Sequence, residues 1–327
     1  MTTYKNVRYK LPAVTLSGAT ESSPAAGDIW YDSGKFYLGT SQSFAGSWSS
    51  GGNLATARTN IAGCGTQSVG LCMGGSTGSA SNVTEEYNGT SWSAGGNLGT
   101  ARYGLVGAGT QSAGLCMGGM PGPSNVTEEY DGTSWSSGGN LATARYRPAG
   151  AGTQSAGLCM GGDDDLSADG CNVTEEYDGT SWSSGGNLAT ARESAAGAGT
   201  QSAGLCMGGS AVSSNLNETE EYNGTSWSNG GNLATARHAL AGAGTQAAGL
   251  CMGGKTDVYT NVTEEYDGSS WSSGGNLATA RSTLAGAGTQ SAGLCMGGNT
   301  GSASNVTEEY DAGPGSYDEL FSPAQGL

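Results

Sequence analysis

Catalysis needs a nucleophile, a proton relay or a ligand set, and this sequence offers few of them. It holds one histidine, His238, which excludes a histidine-dependent triad or a multi-histidine metal site. Paired glutamates (Glu85-Glu86, Glu128-Glu129, Glu175-Glu176, Glu220-Glu221, Glu264-Glu265 and Glu308-Glu309) could do general acid–base work. An active site is normally singular, however, and these pairs recur six times. They read as exposed strand faces that pair with the recurring arginines. Asp163, Asp164 and Asp165, with Asp169, form the densest run of charge. Oxygen-rich loops bind calcium, but no ligand spacing supports that here, so a solvated acidic loop is the stronger reading and the metal site the weaker. Asn-Val-Thr recurs at Asn82, Asn125, Asn172, Asn261 and Asn305; it matches a glycosylation acceptor, yet its repetition makes it a strand start. Of eight cysteines, six occupy one repeat position (Cys72, Cys116, Cys159, Cys206, Cys251, Cys295), each on its own unit and too far apart to bond. They read as small buried thiols; Cys64 and Cys171 are irregular. No enzyme activity and no cofactor are expected.

Composition narrows the class. Glycine makes up 61 of 327 residues and only 12% are charged, which suits a β-protein of short strands and tight turns. A net charge of −16 repels polyanions, so nucleic acid is not an expected partner. No apolar run reaches the length of a membrane span, so no membrane insertion is expected. The opening Met1-Thr2-Thr3-Tyr4-Lys5 lacks an apolar stretch, so no Sec-type signal is expected either.

Those residues sit on a repeat. Trp48, Trp92, Trp135, Trp182, Trp227 and Trp271 are spaced by 44, 43, 47, 45 and 44 residues. After each comes Ser-x-Gly-Gly-Asn-Leu, then an arginine (Arg58, Arg102, Arg145, Arg192, Arg237, Arg281). Ala-Gly-x-Gly-Thr-Gln follows, with Val106 replacing Ala in the second copy, then Gly-Leu-Cys-Met-Gly-Gly and Thr-Glu-Glu-Tyr. Each unit predicts four strands: a small flat strand a such as Leu105-Val106-Gly107-Ala108, strand b such as Gly114-Leu115-Cys116-Met117, strand c such as Val126-Thr127-Glu128-Glu129-Tyr130, and a tryptophan strand d after an Asp-Gly or Asn-Gly turn. Small residues place strand a innermost, and the aromatics fill the wider gaps outside. One four-stranded blade cannot bury both of its faces, so blades stack, and a closed ring protects their edges. The last unit ends at Tyr310 without a tryptophan, while Trp48 lacks strands of its own upstream. The segment around Trp48 therefore supplies strand d to the last blade, giving a six-bladed β-propeller over residues 45–312.

The units are nearly identical except in two stretches. One is the three residues after each arginine: Thr59-Asn60-Ile61, Tyr103-Gly104-Leu105, Tyr146-Arg147-Pro148, Glu193-Ser194-Ala195, His238-Ala239-Leu240 and Ser282-Thr283-Leu284. The other is the b–c loop, running from the short Met120–Ser124 to the long Asp163–Cys171. In an antiparallel blade the d–a and b–c connections share one face, so diversity is concentrated on one side of the disc. Asn60, Tyr103, Tyr146, Arg147, Glu193, His238, Lys255 and Tyr259 are the candidate ligand-binding residues of that face. Drift in loops free of packing duty is the plain alternative.

The double glycine after strand b, the tyrosine followed by tryptophan, and the arginine before strand a resemble kelch repeats over most of the chain. Kelch propellers include a copper oxidase class, but its Cys/Tyr/His site has no counterpart here. The high Gly/Ala content and near-identical copies look like the kelch-like fibre and appendage proteins of tailed bacteriophages. That resemblance implies a virion structural protein, a tail-fibre or receptor-binding subunit that shows its variable face to a host-surface glycan or protein. Its alternatives are a capsid decoration or architectural subunit without a receptor and, further off, a carbohydrate-active enzyme. Residues 1–44 do not repeat: Lys5 to Thr15 alternates weakly as a strand, and Gly27 to Gly39 reads as a β-hairpin turning at Asp32-Ser33-Gly34. The hairpin resembles modules beside phage tail-fibre proteins, which implies an N-terminal attachment arm held by other virion proteins or by sister subunits. Residues 313–327 read as an extended polar tail.

Overall fold

The computed structural model describes residues 29–32, 35–39, 46–166, 170–212, 214–313 and 317–321. The strand expected between Lys5 and Thr15, and Ser33-Gly34 of the hairpin turn, lie outside them. The chain divides into two units, Ala45–Ala312 and a smaller one made from the two flanks.

The larger unit is a six-bladed β-propeller of four-stranded antiparallel sheets, designated blades I to VI. In blade I the strands are a (Ala62–Gly65), b (Gly70–Met73), c (Thr84–Tyr87) and d (Trp92–Ala94). Blades II to V repeat this order at 106–137, 149–184, 196–229 and 241–273. Blade VI joins Ala285–Gly288, Gly293–Met296 and Thr307–Asp311 to Ser47–Ser50, with Trp48 opposite Tyr310 as the sequence predicts. Their rings lie 4.9 Å apart, like the Tyr–Trp pairs of other blades.

Strand b is buried on both faces, as its unbroken apolar run requires. Its alternation divides the work. Leu71 and Met73 of blade I pack with Cys116 and Tyr130 of blade II, and the same partition makes six separate cores, one per gap between blades. Burying each leucine contributes about 1.5–3 kcal/mol. Strand a is small because the blades crowd at the axis: a Cβ on Gly197 would lie 2.4 Å from the carbonyl oxygen of Gly150.

Polar links cross every gap at equivalent positions. Gln111 on the a–b turn of blade II donates to the carbonyls of Gly70 (2.8 Å) and Tyr87 (2.7 Å) in blade I. Trp135 Nε1 donates to Thr84 Oγ1 at 3.0 Å, and the Tyr130 hydroxyl donates to Glu86 Oε1 at 2.5 Å.

Within each blade, the first glutamate of strand c corrects the sequence reading. Glu85, Glu175 and their equivalents are buried instead of lying on an exposed strand face. Glu85 accepts from Arg58 at 2.8 Å and from the Ala55 N–H at 2.7 Å. The expected pairing with the recurring arginines is present, but in the core. Arg58 itself is wholly buried and also donates to the carbonyls of Gly74 and Val83.

In the smaller unit, Ile29–Asp32 and Lys35–Gly39 form the expected hairpin. A third strand, Tyr317–Phe321, pairs antiparallel with Lys35–Gly39, where an extended tail was expected. Its aromatic ends suit a strand, and the surrounding Gly, Pro and Ser hide that. No helix among the described residues is long and apolar enough to cross a membrane.

Candidate functional site

The variable face is assembled by backbone bridges between the two variable stretches. The residue after each arginine pairs with the residue after each double glycine: Thr59 with Ser76, Tyr103 with Met120, Tyr146 with Asp163, Glu193 with Ser210, His238 with Lys255, and Ser282 with Asn299. Tyr146 and Asp163, for example, exchange both N–H···O bonds, at 2.9 and 2.8 Å. The d–a and b–c connections therefore form one continuous surface.

Beneath the variable side chains runs an invariant backbone device that sequence reasoning missed. The second residue after each arginine is left-handed in all six blades: Asn60, Gly104, Arg147, Ser194, Ala239 and Thr283, with φ between 51° and 62°. Each N–H donates to the carbonyl of the equivalent residue in the preceding blade, at 2.6–3.0 Å. Asn60 accepts from Gly104 and donates to Thr283, which closes a girdle of six hydrogen bonds around the axis. The signal was faint: only Gly104 and Asn60 are residue types that favour this conformation. Inside the girdle is an axial cavity of about 130 Å³, walled by Ile61, Leu105, Pro148, Ala195, Leu240 and Leu284.

The candidate side chains are not spread evenly. Asn60 and Tyr103 lie on the blade I and II side, and Asn60 Nδ2 donates to Thr59 Oγ1 at 3.2 Å. The other six candidates gather over blades III to V. The Tyr146 hydroxyl donates to Asp163 Oδ2 at 2.7 Å, and this carboxylate, followed by burial, holds the phenol proton well above its usual range. The Arg147 guanidinium lies over the Tyr146 ring at 5.3 Å and pairs with Glu193 at 3.1 Å. His238 Nδ1 is 2.7 Å from Asn215 Oδ1. Burial first, and then the Lys255 charge, lower the His238 pKa, so the ring is neutral at pH 7 and its Nδ1–H donates to that oxygen. Lys255 Nζ sits over the Tyr259 ring at 5.6 Å.

The acidic loop spends carboxylates on its own backbone. Asp163 Oδ1 accepts from the Asp165 N–H at 2.8 Å, and Asp164 Oδ1 accepts from the Leu166 N–H at 3.0 Å. Asp169 lies outside the described residues. Among the described residues no group of three or more His, Cys, Asp or Glu side chains is placed to hold a metal ion. The eight cysteines are free and buried. Burial pushes Cys72, Cys116, Cys206 and Cys295 up to about 11, so at neutral pH they are inert thiols.

Fold and face together define a class: a six-bladed β-propeller with a regular ring and one variable, chemically furnished face. No protein-family model matches the chain, and no curated protein matches it.

Proposed function

We propose that this chain is a structural and recognition subunit of a bacteriophage particle, of the tail-fibre or receptor-binding kind. Its propeller shows the variable face to the host surface, and residues 1–44 attach it to other virion proteins or to sister subunits. One observation carries the reading. Variation is concentrated on one face of the disc, where the residue after each arginine bridges to the residue after each double glycine. Unlike side chains gathered on one face of an otherwise regular ring are what presentation to a partner requires. The virion context comes only from the resemblance of the repeats to those of kelch-like phage appendage proteins.

Binding of the labelled full chain to a panel of intact bacterial strains tests this. At least one strain should be bound, and replacing Tyr146, Arg147 and Tyr259 together by alanine should weaken binding by about tenfold or more. Unchanged binding by that variant would remove the face from the reading. Failure to bind any strain, with particle images placing the chain on the head shell, would favour an architectural subunit instead.

A further inference from the structure

We propose that Asn88 and Asn223, in the c–d turns of blades I and IV, are sites of spontaneous deamidation in the folded chain, and that the fold spares Asn229. The inference goes beyond the recognition reading and does not rest on it. The sequence holds three Asn-Gly pairs, Asn88-Gly89, Asn223-Gly224 and Asn229-Gly230. Glycine has no Cβ, so its backbone nitrogen is the least hindered to attack the side chain before it. All three asparagines are exposed, so exposure does not separate them. Hydrogen bonding does. The Gly230 N–H donates to the Thr219 carbonyl at 2.9 Å, which fixes that nitrogen in the blade IV sheet. Among the described residues, the N–H groups of Gly89 and Gly224 donate to no acceptor.

The side-chain carbonyls of the first two are set for that attack. Asn88 Oδ1 accepts from the Thr90 N–H at 3.0 Å and the Ser91 N–H at 2.9 Å. Asn223 Oδ1 accepts from the N–H groups of Thr225 and Ser226, both at 2.9 Å. In the reaction the glycine nitrogen gives up its proton and bonds to the asparagine Cγ. Negative charge gathers on Oδ1, under two fixed donors, and the side-chain nitrogen leaves with the proton as ammonia. Water then opens the cyclic imide. Opening at Cγ restores the peptide bond and leaves aspartate; opening at the main-chain carbonyl leaves iso-aspartate. The sum is amide plus water to acid plus ammonia, with no change of oxidation state. The fold already holds the aspartate. Blades II, III and V carry Asp131, Asp178 and Asp267 at this position, each Oδ1 accepting the two equivalent N–H groups at 2.7–2.9 Å. Each Oδ2 also accepts from a serine hydroxyl, at 3.1–3.2 Å. The Ser134 and Ser181 N–H groups, and then those of Thr133 and Thr180, hold Asp131 and Asp178 below the ordinary carboxylate range. The turn therefore favours charge on the oxygen where the reaction develops it. Two conversions take the formal charge from −16 to −18, on the face away from the variable loops.

Peptide mapping by mass spectrometry tests this, after the full chain is held folded at mildly alkaline pH in water enriched in heavy oxygen. Asn88 and Asn223 should each exchange the amide for an acid carrying one solvent oxygen, either acid product counting as conversion. Asn229 should lag them by about tenfold or more, since its reaction waits on opening of a ladder hydrogen bond. In denaturant all three should convert at similar rates. Asn88→Asp combined with Asn223→Asp should melt no lower than the parent. An Asn229 that keeps pace in the folded chain would overturn the inference, as would Asn88 and Asn223 converting only when unfolded. A lag at Asn229 that persists in denaturant would overturn it too, because the difference would then belong to the local sequence. A double variant that melts below the parent would overturn the fit of the turn to its product.

Discussion

At the scale of the residue, this fold stores stability in groups that must keep their protons. Burial raises Cys72 and Cys116 from 9.0 to about 11. Burial, and then the hydrogen bond to Glu86, raises Tyr130 from 10.0 to about 12; Tyr87, Tyr177 and Tyr266 rise to about 12 in the same way. Each is neutral when protonated and keeps its proton past the pH at which the unfolded chain releases it. Their contribution is therefore complete below about pH 9 and shrinks as pH climbs through the window from about 9 to 12. Urea midpoints should be flat near neutrality and fall steadily above pH 9; a midpoint unchanged at pH 11 would contradict the assignment. The girdle makes a second residue-scale prediction. Ala239 sits at φ 53°, a conformation that costs a non-glycine residue about 1–2 kcal/mol. Its N–H and carbonyl carry the girdle bonds to Ser194 and from Thr283, both at 2.8 Å, and glycine keeps both. Ala239→Gly should therefore stabilise the chain by about 0.5–1 kcal/mol, after glycine's larger unfolded-state entropy is subtracted. Denaturant unfolding measures it, and a destabilised variant would show that the girdle needs its side chain.

At the scale of the element, ring closure turns on four residues. Gly51 N–H donates to the Thr307 carbonyl at 3.0 Å, so by strand alternation the Ser49 N–H also faces strand c while the Ser50 N–H faces away. Ser49→Pro should remove a ladder bond and cost about 1–3 kcal/mol, and Ser50→Pro much less. Similar melting temperatures for the two variants would deny Ser47–Ser50 its closing role. That strand was legible in the sequence because Trp48 and Tyr310 are each incomplete without the other, and the sidedness of the loops followed from counting antiparallel strands. The fate of Glu85 was not. A Thr-Glu-Glu-Tyr run reads as an exposed strand face paired with the arginines, and only the fold puts the Arg58–Glu85 pair, 27 residues apart, in the core. The girdle was hidden for a related reason. It is made by backbone groups, so the side chains above it, from glycine to arginine, carry no shared signature of it. The gathering of six candidates over blades III to V follows from the chain order of the blades, but the contacts among them, such as Arg147 with Tyr146 and Glu193, could not be read.

At the scale of the whole molecule, the question is whether six blades behave as a linear stack or as a ring. In a stack, terminal units have one neighbour and stability adds along the chain. Here blade I is held to blade VI by the same links that join any other pair. The Tyr87 hydroxyl donates to Glu309 across 222 positions of sequence, and the Tyr222 hydroxyl donates to Glu176 across 46. Each of these hydroxyls also accepts an N–H, from Gly52 and Gly186 respectively. Removing either hydroxyl therefore leaves a carboxylate oxygen and an amide without that partner, at about 1–3 kcal/mol. In a ring the two losses are equivalent, because every gap must be closed for the propeller to exist. In an open stack Tyr87 would face a free end, and its hydroxyl would contribute nothing. Tyr87→Phe and Tyr222→Phe should accordingly lower the melting temperature of the propeller by the same amount, within one cooperative transition. A silent Tyr87→Phe beside a costly Tyr222→Phe, or a propeller transition that splits in two, would mean that the ends are not joined in solution.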